Sequence, residues 1–274
     1  MKAEDRISFS GPPRIFEELP ARTRAICSKL KDELISSLGD ALHGIYLYGA
    51  MVFPESKHVV DIDGHVILRR PLSEGEKESV RAVHSSLVSS FEDLTEEDLD
   101  IWYVLLEDVG SPSPHHHLIQ DMSDYAWPLH RAHLLAGYCI LLHGPGPEAF
   151  LTAPSSSELE AALRSEMRYM NGAAGRYPAY CVLNGCRIMY SYETGDVVIS
   201  KNAAAEWAKQ RYPAWKDLMD AALSKYANAS GTSDEKLLAE GIDAFIRDVR
   251  EVIGLYSGSM AAMEVTGDDT SPDP

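Results

Sequence analysis

Apolar residues recur along this chain with two different periods, and the change from one to the other divides it. Ile26, Leu30, Leu34, Ile35 and Leu38 fall three or four residues apart, which predicts an amphipathic helix from Pro20 to Leu38, closed by Gly39. Two short apolar runs follow, Gly44 to Tyr48 and Val59 to Leu68, and both predict strands. The second run is interrupted by Asp61 and Asp63. Side chains on a strand alternate between its faces, so these two carboxylates share one face. The intervening stretch, Met51 to His58, predicts a loop that puts the glycine turn at Gly49 and the two aspartates on neighbouring strands.

Ser73 and Glu76 have the spacing of a capping box ahead of the stripe Val80, Val83, Leu87 and Phe91, which predicts a second helix. A third strand is predicted over Leu99 to Leu106, with Asp100 inside it. Leu134, Leu135, Tyr138 and Leu142 then suggest a helix from Trp127 to Leu142, stopped by Gly144-Pro145-Gly146-Pro147. Beyond that cluster only the helical period remains. The predicted helices are one capped by Ser155 and Glu158, one from Pro178 to Glu193 ended by Gly195, one from Asn202 to Arg211, one starting at Pro213, and one capped by Thr232 and Glu235.

The fold class expected is therefore an α/β (α+β) N-terminal domain with a small mixed sheet, followed by an all-α helical bundle. The boundaries expected are 1–145 for the first domain, with 1–13 a mobile lead-in, 146–256 for the bundle, and 257–274 for a disordered tail rich in small and acidic residues.

Charge narrows the choice of partner. Asp and Glu number 42 against 25 Lys and Arg, a formal net charge of -17. Such a surface repels nucleic-acid backbones and anionic membranes and attracts cationic small molecules, although solubility alone would also account for it. No apolar run reaches membrane-spanning length and Met1 to Arg6 lead into no signal-peptide core, so a cytoplasmic protein is expected. The four cysteines, Cys27, Cys139, Cys181 and Cys186, lie in helix-like apolar stretches and are expected as buried free thiols. His115-His116-His117 cannot all face one point in a regular element, which favours a polar loop over a metal site.

The aspartates carry the chemistry. A same-face carboxylate pair beside a glycine turn suits Mg²⁺ held against a triphosphate. Asp100 is a charge in a buried-looking strand, and burial would demand a compensating cation; the other reading is a solvent face or strand edge. In nucleotidyl transfer, Asp61 and Asp63 would hold metal and triphosphate. Asp100 would complete the metal site or act as general base, and Gly49 would let the backbone approach the phosphates.

Taken together, Gly49-Ala50, Asp61-Ile62-Asp63 and the later Asp100 resemble the DNA polymerase beta type nucleotidyltransferase superfamily. The usual Gly-Ser is Gly49-Ala50 here, which removes a hydroxyl expected to contact the triphosphate. Three stretches narrow the resemblance to the streptomycin/spectinomycin adenylyltransferases: Leu42 to Gly49, Leu141 to Pro145, and Cys181 to Gly195 continuing through Ser200 to Pro213. The resemblance implies transfer of AMP from ATP to an aminoglycoside hydroxyl, two Mg²⁺ ions, an antibiotic held between the domains, a monomer, and a role in resistance.

Carried over residue by residue, the resemblance makes Asp61 and Asp63 metal ligands and sets Asp100 where the family has a glutamate base. Asn202 and Glu206 stand where the family turns two aspartates toward the drug, and only Glu206 keeps the charge. Trp127 is the candidate for a tryptophan that the streptomycin-active enzymes present to the antibiotic, in the stretch that differs most from the family. Lys201, Arg211 and Lys225 are candidates to neutralise the triphosphate, beside Gly49 and Ala50 on the phosphate side. Two other readings stay open: transfer to another metabolite or a protein side chain, and a non-catalytic nucleotide or drug binder.

Overall fold

The computed structural model describes residues 11–56, 61–118 and 122–256. The expected tail, the first ten residues of the expected lead-in and the end of the loop before Asp61 lie outside them. The chain divides into two compact units, one of Gly11–Ala153 and one beginning at Pro154.

The first unit opens with α1 (Ala21–Leu38), whose residues Ile26, Leu30, Leu34 and Leu38 are buried as their spacing requires. Four strands follow: β1 (Leu42–Leu47), β2 (Ile62–Leu68), β3 (Leu99–Leu105) and β4 (Ile140–His143). They form one mixed sheet in the order β3-β2-β1-β4. β1 is antiparallel to both β2 and β4, whereas β2 and β3 run parallel. A parallel pair needs a crossover connection, which α2 (Glu74–Ser90) supplies. Ser73 caps α2 as its spacing predicts: its Oγ accepts from Glu76 N at 3.3 Å, and Glu76 accepts from Ser73 N at 2.8 Å.

The two faces of the sheet carry separate cores. Ile45, Leu47, Ile62, Val66, Leu68, Ile101 and Tyr103 pack with the buried stripes of α1 and α2. On the other face Tyr46, Tyr48, Ile67 and Val104 pack with Trp127 and Leu134 of α3 (Trp127–Leu135). This second face includes Asp63 and His65, which alternate with the residues of the first core.

The expected helix from Trp127 to Leu142 is shorter than its apolar spacing suggests. α3 stops at Leu135, Gly137 turns the chain at φ +83°, and Ile140–His143 becomes the edge strand β4. A left-handed residue ends a helix, and the apolar run after it finds the open edge of β1. Cys139 therefore lies in a turn, half-buried, while Cys27, Cys181 and Cys186 are buried; all four are free thiols.

The first unit also continues past the Gly/Pro cluster to Ala153. Tyr46 Oη donates to Pro145 O at 2.8 Å, Phe150 packs on His43 and Tyr46 at ring-centroid distances of 5.0 and 5.4 Å, and Leu151 is buried in the second core.

The second unit is helical throughout its described residues: α4 (Ser156–Ala173), α5 (Pro178–Thr194), α6 (Lys201–Arg211), α7 (Lys216–Tyr226) and α8 (Thr232–Tyr256). Ser155 caps α4, Gly195 caps the end of α5, and Pro213 begins a single 3₁₀ turn that leads into α7. α5 is the hub. It is buried along nearly its whole length from Cys181 to Tyr192 and touches α4, α6, α7 and α8. Against it α8 turns the stripe Leu238, Ile242, Phe245, Val249 and Ile253. Thr232 is already the first residue of α8 rather than its cap, and the reach-back bond is made by Asp234, which accepts from Gly231 N at 3.1 Å. Among the described residues no helix is long and apolar enough to cross a membrane.

Candidate active site

The parallel pairing of β2 and β3 sets Asp63 directly opposite Asp100 in register, with Ile62 opposite Leu99. Neighbouring residues at one register position project from the same side of a sheet. Asp61 stands just ahead of β2. Thus the end of the sheet where β2 and β3 begin carries Asp63 and Asp100 on one face, with Asp61 two residues before Asp63.

The glycine turn closes against this edge. Tyr48 N donates to Asp63 O at 3.0 Å as β1 runs out, and Gly49, at φ +73°, starts a 3₁₀ turn over Gly49–Val52. A side chain at position 49 would strain the backbone and overlap the Asp63 carboxylate, so only glycine fits. Ala50 follows within that turn, half-buried.

Solvent exposure corrects one step of the sequence argument. Asp100 is exposed, not buried; its Oδ1 accepts from the Trp102 indole at 3.0 Å. Asp61 is exposed and Asp63 half-buried. No desolvation penalty therefore demands a cation at Asp100, and its claim to a role rests on its register with Asp63. The donor set still fits Mg²⁺: it is all oxygen, all carboxylate, and open to solvent. Mg²⁺ is characteristically held by one or two carboxylates with substrate phosphates and water completing its shell. The oxygens of Asp61, Asp63 and Asp100 are not drawn into a tight cluster. Among the described residues, the group whose donor atoms lie within 4.8 Å of one another is His65, Asp124 and His130.

That group escaped the sequence reading, although one signal for it was there. The alternation that pairs Asp61 with Asp63 also puts His65 on their face, one step further into the sheet. His65 Nε2 lies 3.2 Å and His130 Nδ1 3.0 Å from the same oxygen of Asp124, whose other oxygen accepts from Ala126 N at 2.9 Å. Burial alone would raise the Asp124 carboxyl, but the charge and hydrogen bonds of His130 and His65 outweigh it and hold the group below the usual carboxylate range. Burial pushes the His65 imidazole down, against the pull of Asp124. Tyr48, next to Gly49, packs against both imidazoles, with centroids 4.7 Å from His65 and 4.6 Å from His130, while the imidazoles lie 5.3 Å from each other.

Arg14 also lay beyond sequence reasoning. Its guanidinium donates to the carbonyls of Met51, Pro54 and Ser56 at 3.1, 3.1 and 3.2 Å, stapling the loop that leaves the glycine turn.

Trp127 does not have the surface its expected role requires. It is 0% exposed, its indole N–H donates to Val109 O at 2.9 Å, and His65 packs on its ring, so it is part of the core. The three adjacent histidines point to three separate partners, as their sequence implies. His115 Nδ1 pairs with Ser123 Oγ at 3.0 Å, His116 Nε2 with Ile101 O at 3.3 Å, and His117 Nε2 accepts from Leu72 N at 2.9 Å.

In the helical unit, Ser200 caps α6 by accepting from Ala203 N at 3.0 Å, which sets Lys201 and Asn202 in its first turn. Asn202 and Glu206 are four residues apart and lie on one face of the helix. Glu206 is exposed and paired with Lys209 at 2.7 Å, and Lys209 also reaches Asp220 at 2.8 Å. The Lys201 ammonium sits over the rings of Tyr180 and Tyr226, 4.3 and 5.4 Å from their centroids. Arg211 pairs with Glu193 at 2.8 Å and Lys225 with Glu235 at 2.7 Å. Lys201 and Arg211 stand at opposite ends of α6, about 15 Å apart at the rise of an α-helix.

Comparison with known proteins bears on both units. Residues 150–251 match the family model described as the aminoglycoside adenylyltransferase C-terminal domain. A sequence search of curated proteins gave no match. Among solved structures, the chain is similar to the spectinomycin adenyltransferase AAD(9) from Enterococcus faecialis, determined with ATP and spectinomycin. The TM-score is 0.63 at 15% identity, covering 82% of this chain and 98% of that one. At that identity the likeness speaks for the fold alone, a sheet-bearing unit followed by a helical one. The family model is thus matched across the helical unit, and the fold of the similar adenyltransferase extends along most of the chain.

Proposed function

We propose that this protein transfers AMP from ATP to a hydroxyl of an aminoglycoside-type antibiotic of the streptomycin or spectinomycin class, in a Mg²⁺-dependent reaction that confers resistance. The observation that carries the reading is Asp63 in register with Asp100 at the Gly49 turn, with Asp61 two residues before it, in a chain whose helical unit matches the aminoglycoside adenylyltransferase C-terminal domain. The similar Enterococcus enzyme was determined with ATP and spectinomycin, which supports the choice of both substrates.

In the reaction, the acceptor oxygen forms a bond to the α-phosphorus, the bond from that phosphorus to the bridging oxygen breaks, and pyrophosphate leaves. Asp100 takes the hydroxyl proton. Asp61 and Asp63 would hold Mg²⁺, with Asp100 as a third ligand; the metal would neutralise charge on the triphosphate and the leaving group. Gly49 brings backbone N–H groups close to the phosphates, and Ala50 contributes its backbone amide in place of a hydroxyl contact, a difference of about one net hydrogen bond, ~1 kcal/mol. Lys201 is the helical-unit cation assigned to the triphosphate. Glu206 attracts the cationic acceptor, and Asn202 offers it a neutral hydrogen-bonding group.

A changed acceptor within the same chemistry is the second reading, favoured by Asn202 in place of an anion and by the burial of Trp127. Incubation with ATP, Mg²⁺ and a panel of aminoglycosides, followed by mass spectrometry, tests the choice. The expected product is an antibiotic heavier by one adenylyl group, formed with pyrophosphate. Failure of every aminoglycoside while ATP still binds would move the assignment to another acceptor.

A further inference from the structure

We propose that His65, Asp124 and His130 form a second cation site, buried behind the glycine turn and suited to Zn²⁺ or a similar borderline transition-metal ion. The claim does not depend on the transfer reading.

Geometry is the first support. Both imidazole nitrogens converge on one oxygen of Asp124, at 3.2 and 3.0 Å, and all three donor atoms lie within 4.8 Å of one another. Ligands bound to Zn²⁺ at about 2.0–2.1 Å in tetrahedral directions stand roughly 3.3–3.4 Å apart, so two edges of the polyhedron need to open by only a few tenths of an ångström. Two imidazoles and one carboxylate are a common protein ligand set for Zn²⁺ and a poor one for Mg²⁺, which selects oxygen.

Burial is the second. His65 is 0% and Asp124 3% exposed, so these donors do not belong to a solvated acidic surface. The Asp124 oxygen that faces away from the pair is fixed by Ala126 N at 2.9 Å, the kind of outer hydrogen bond that orients a carboxylate ligand. The His65 ring is wedged between Tyr48 and Trp127, with centroids 4.7 Å from each, which holds Nε2 toward Asp124.

The location gives such an ion a purpose. Asp63 and His65 project from the same face of β2, and Tyr48, the residue before Gly49, packs against both imidazoles. An ion joining His65 to His130 would tie β2 to α3 and fix the pair of imidazoles on which Tyr48 packs, beside the glycine turn. Sequence spacing could not reveal the site, because its three ligands come from β2, the segment before α3, and α3 itself.

The test uses untagged full-length protein stripped with a chelator and titrated with Co²⁺ in excess Mg²⁺. Visible ligand-field bands that saturate at one equivalent, and that Zn²⁺ abolishes, are expected for the wild type and for Asp61→Asn. His130→Ala and Asp124→Asn should weaken Co²⁺ binding by at least about tenfold, the lower end of what loss of even an outer-shell partner costs. His130→Cys keeps a donor, so it should retain Co²⁺ and add a near-ultraviolet thiolate charge-transfer band, which a folding defect would not produce. Added Zn²⁺ should also raise the thermal midpoint of the stripped wild type. A wild type that takes up no stoichiometric Co²⁺ or Zn²⁺ contradicts the proposal and leaves a hydrogen-bonded His-Asp-His group. So does Co²⁺ uptake whose spectrum is the same in wild type and His130→Cys.

Discussion

Gly49 and Asp63 fit each other so closely that any side chain at position 49 would occupy the space of the Asp63 carboxylate. The same glycine holds φ +73°, and the bond from Tyr48 N to Asp63 O fixes the two strands at this point. Gly49→Ala should therefore do two things. The left-handed backbone costs about 1–2 kcal/mol of stability, and the displaced carboxylate should lower turnover at least about tenfold, the equivalent of ~1.4 kcal/mol in the barrier. Denaturant unfolding and steady-state rates on the same preparation separate the two effects.

Acceptor binding should depend on the charge at position 206. Glu206→Gln should raise the KM for a cationic acceptor by about tenfold, a magnitude near the lower range for a charge-assisted hydrogen bond, while leaving the KM for ATP unchanged. Asn202→Asp, which puts a second anion on the same helix face, should lower the acceptor KM. Asp220→Asn serves as the control, since Asp220 shares Lys209 with Glu206 and carries no assigned contact with the acceptor. Equal effects of Asp220→Asn and Glu206→Gln would mean that Glu206 acts only through Lys209.

The hub helix makes a prediction about stability alone. A Cβ at Gly185 would stand 2.6 Å from Phe245 Cε1, 3.1 Å from Val249 Cγ2 and 3.2 Å from Met170 Cε, so the Phe245 ring would have to shift and its neighbours on α8 and α4 give way. Overpacking of this kind costs about 1–3 kcal/mol, offset in part by up to about 1 kcal/mol of helix propensity gained over glycine. Gly185→Ala should lower the urea midpoint of the helical unit at unchanged m-value. A midpoint equal to or above that of the wild type would contradict the close packing.

Much of this architecture was legible because local chemistry and tertiary demand agree. The capping serines Ser73 and Ser155, the stop at Gly195 and the stripes of α1, α2 and α8 all act where their spacing puts them. The place of Asp63 on a strand was legible for the same reason, since strand alternation is local. What was not legible depends on contacts between distant segments. The stretch Ile140–His143 has a helix-compatible spacing but is claimed by the open edge of β1, and Phe150 and Leu151 are claimed by the core around Tyr46. Asp100 looked buried because its neighbours in sequence are apolar, yet it lies at the start of β3 with its side chain in solvent. His65, Asp124 and His130 are separated by up to 65 positions, and the fold alone unites them.

Acceptor-dependent pyrophosphate release, measured in Asp61→Asn beside the wild type, decides whether Asp61, Asp63 and Asp100 perform nucleotidyl transfer. Circular dichroism and the thermal midpoint establish that the fold is kept. This assignment of roles requires release from the wild type only when ATP, Mg²⁺ and a suitable acceptor are all present, and none above background from Asp61→Asn at a native-like midpoint. Wild-type rates of release from a folded Asp61→Asn would contradict it.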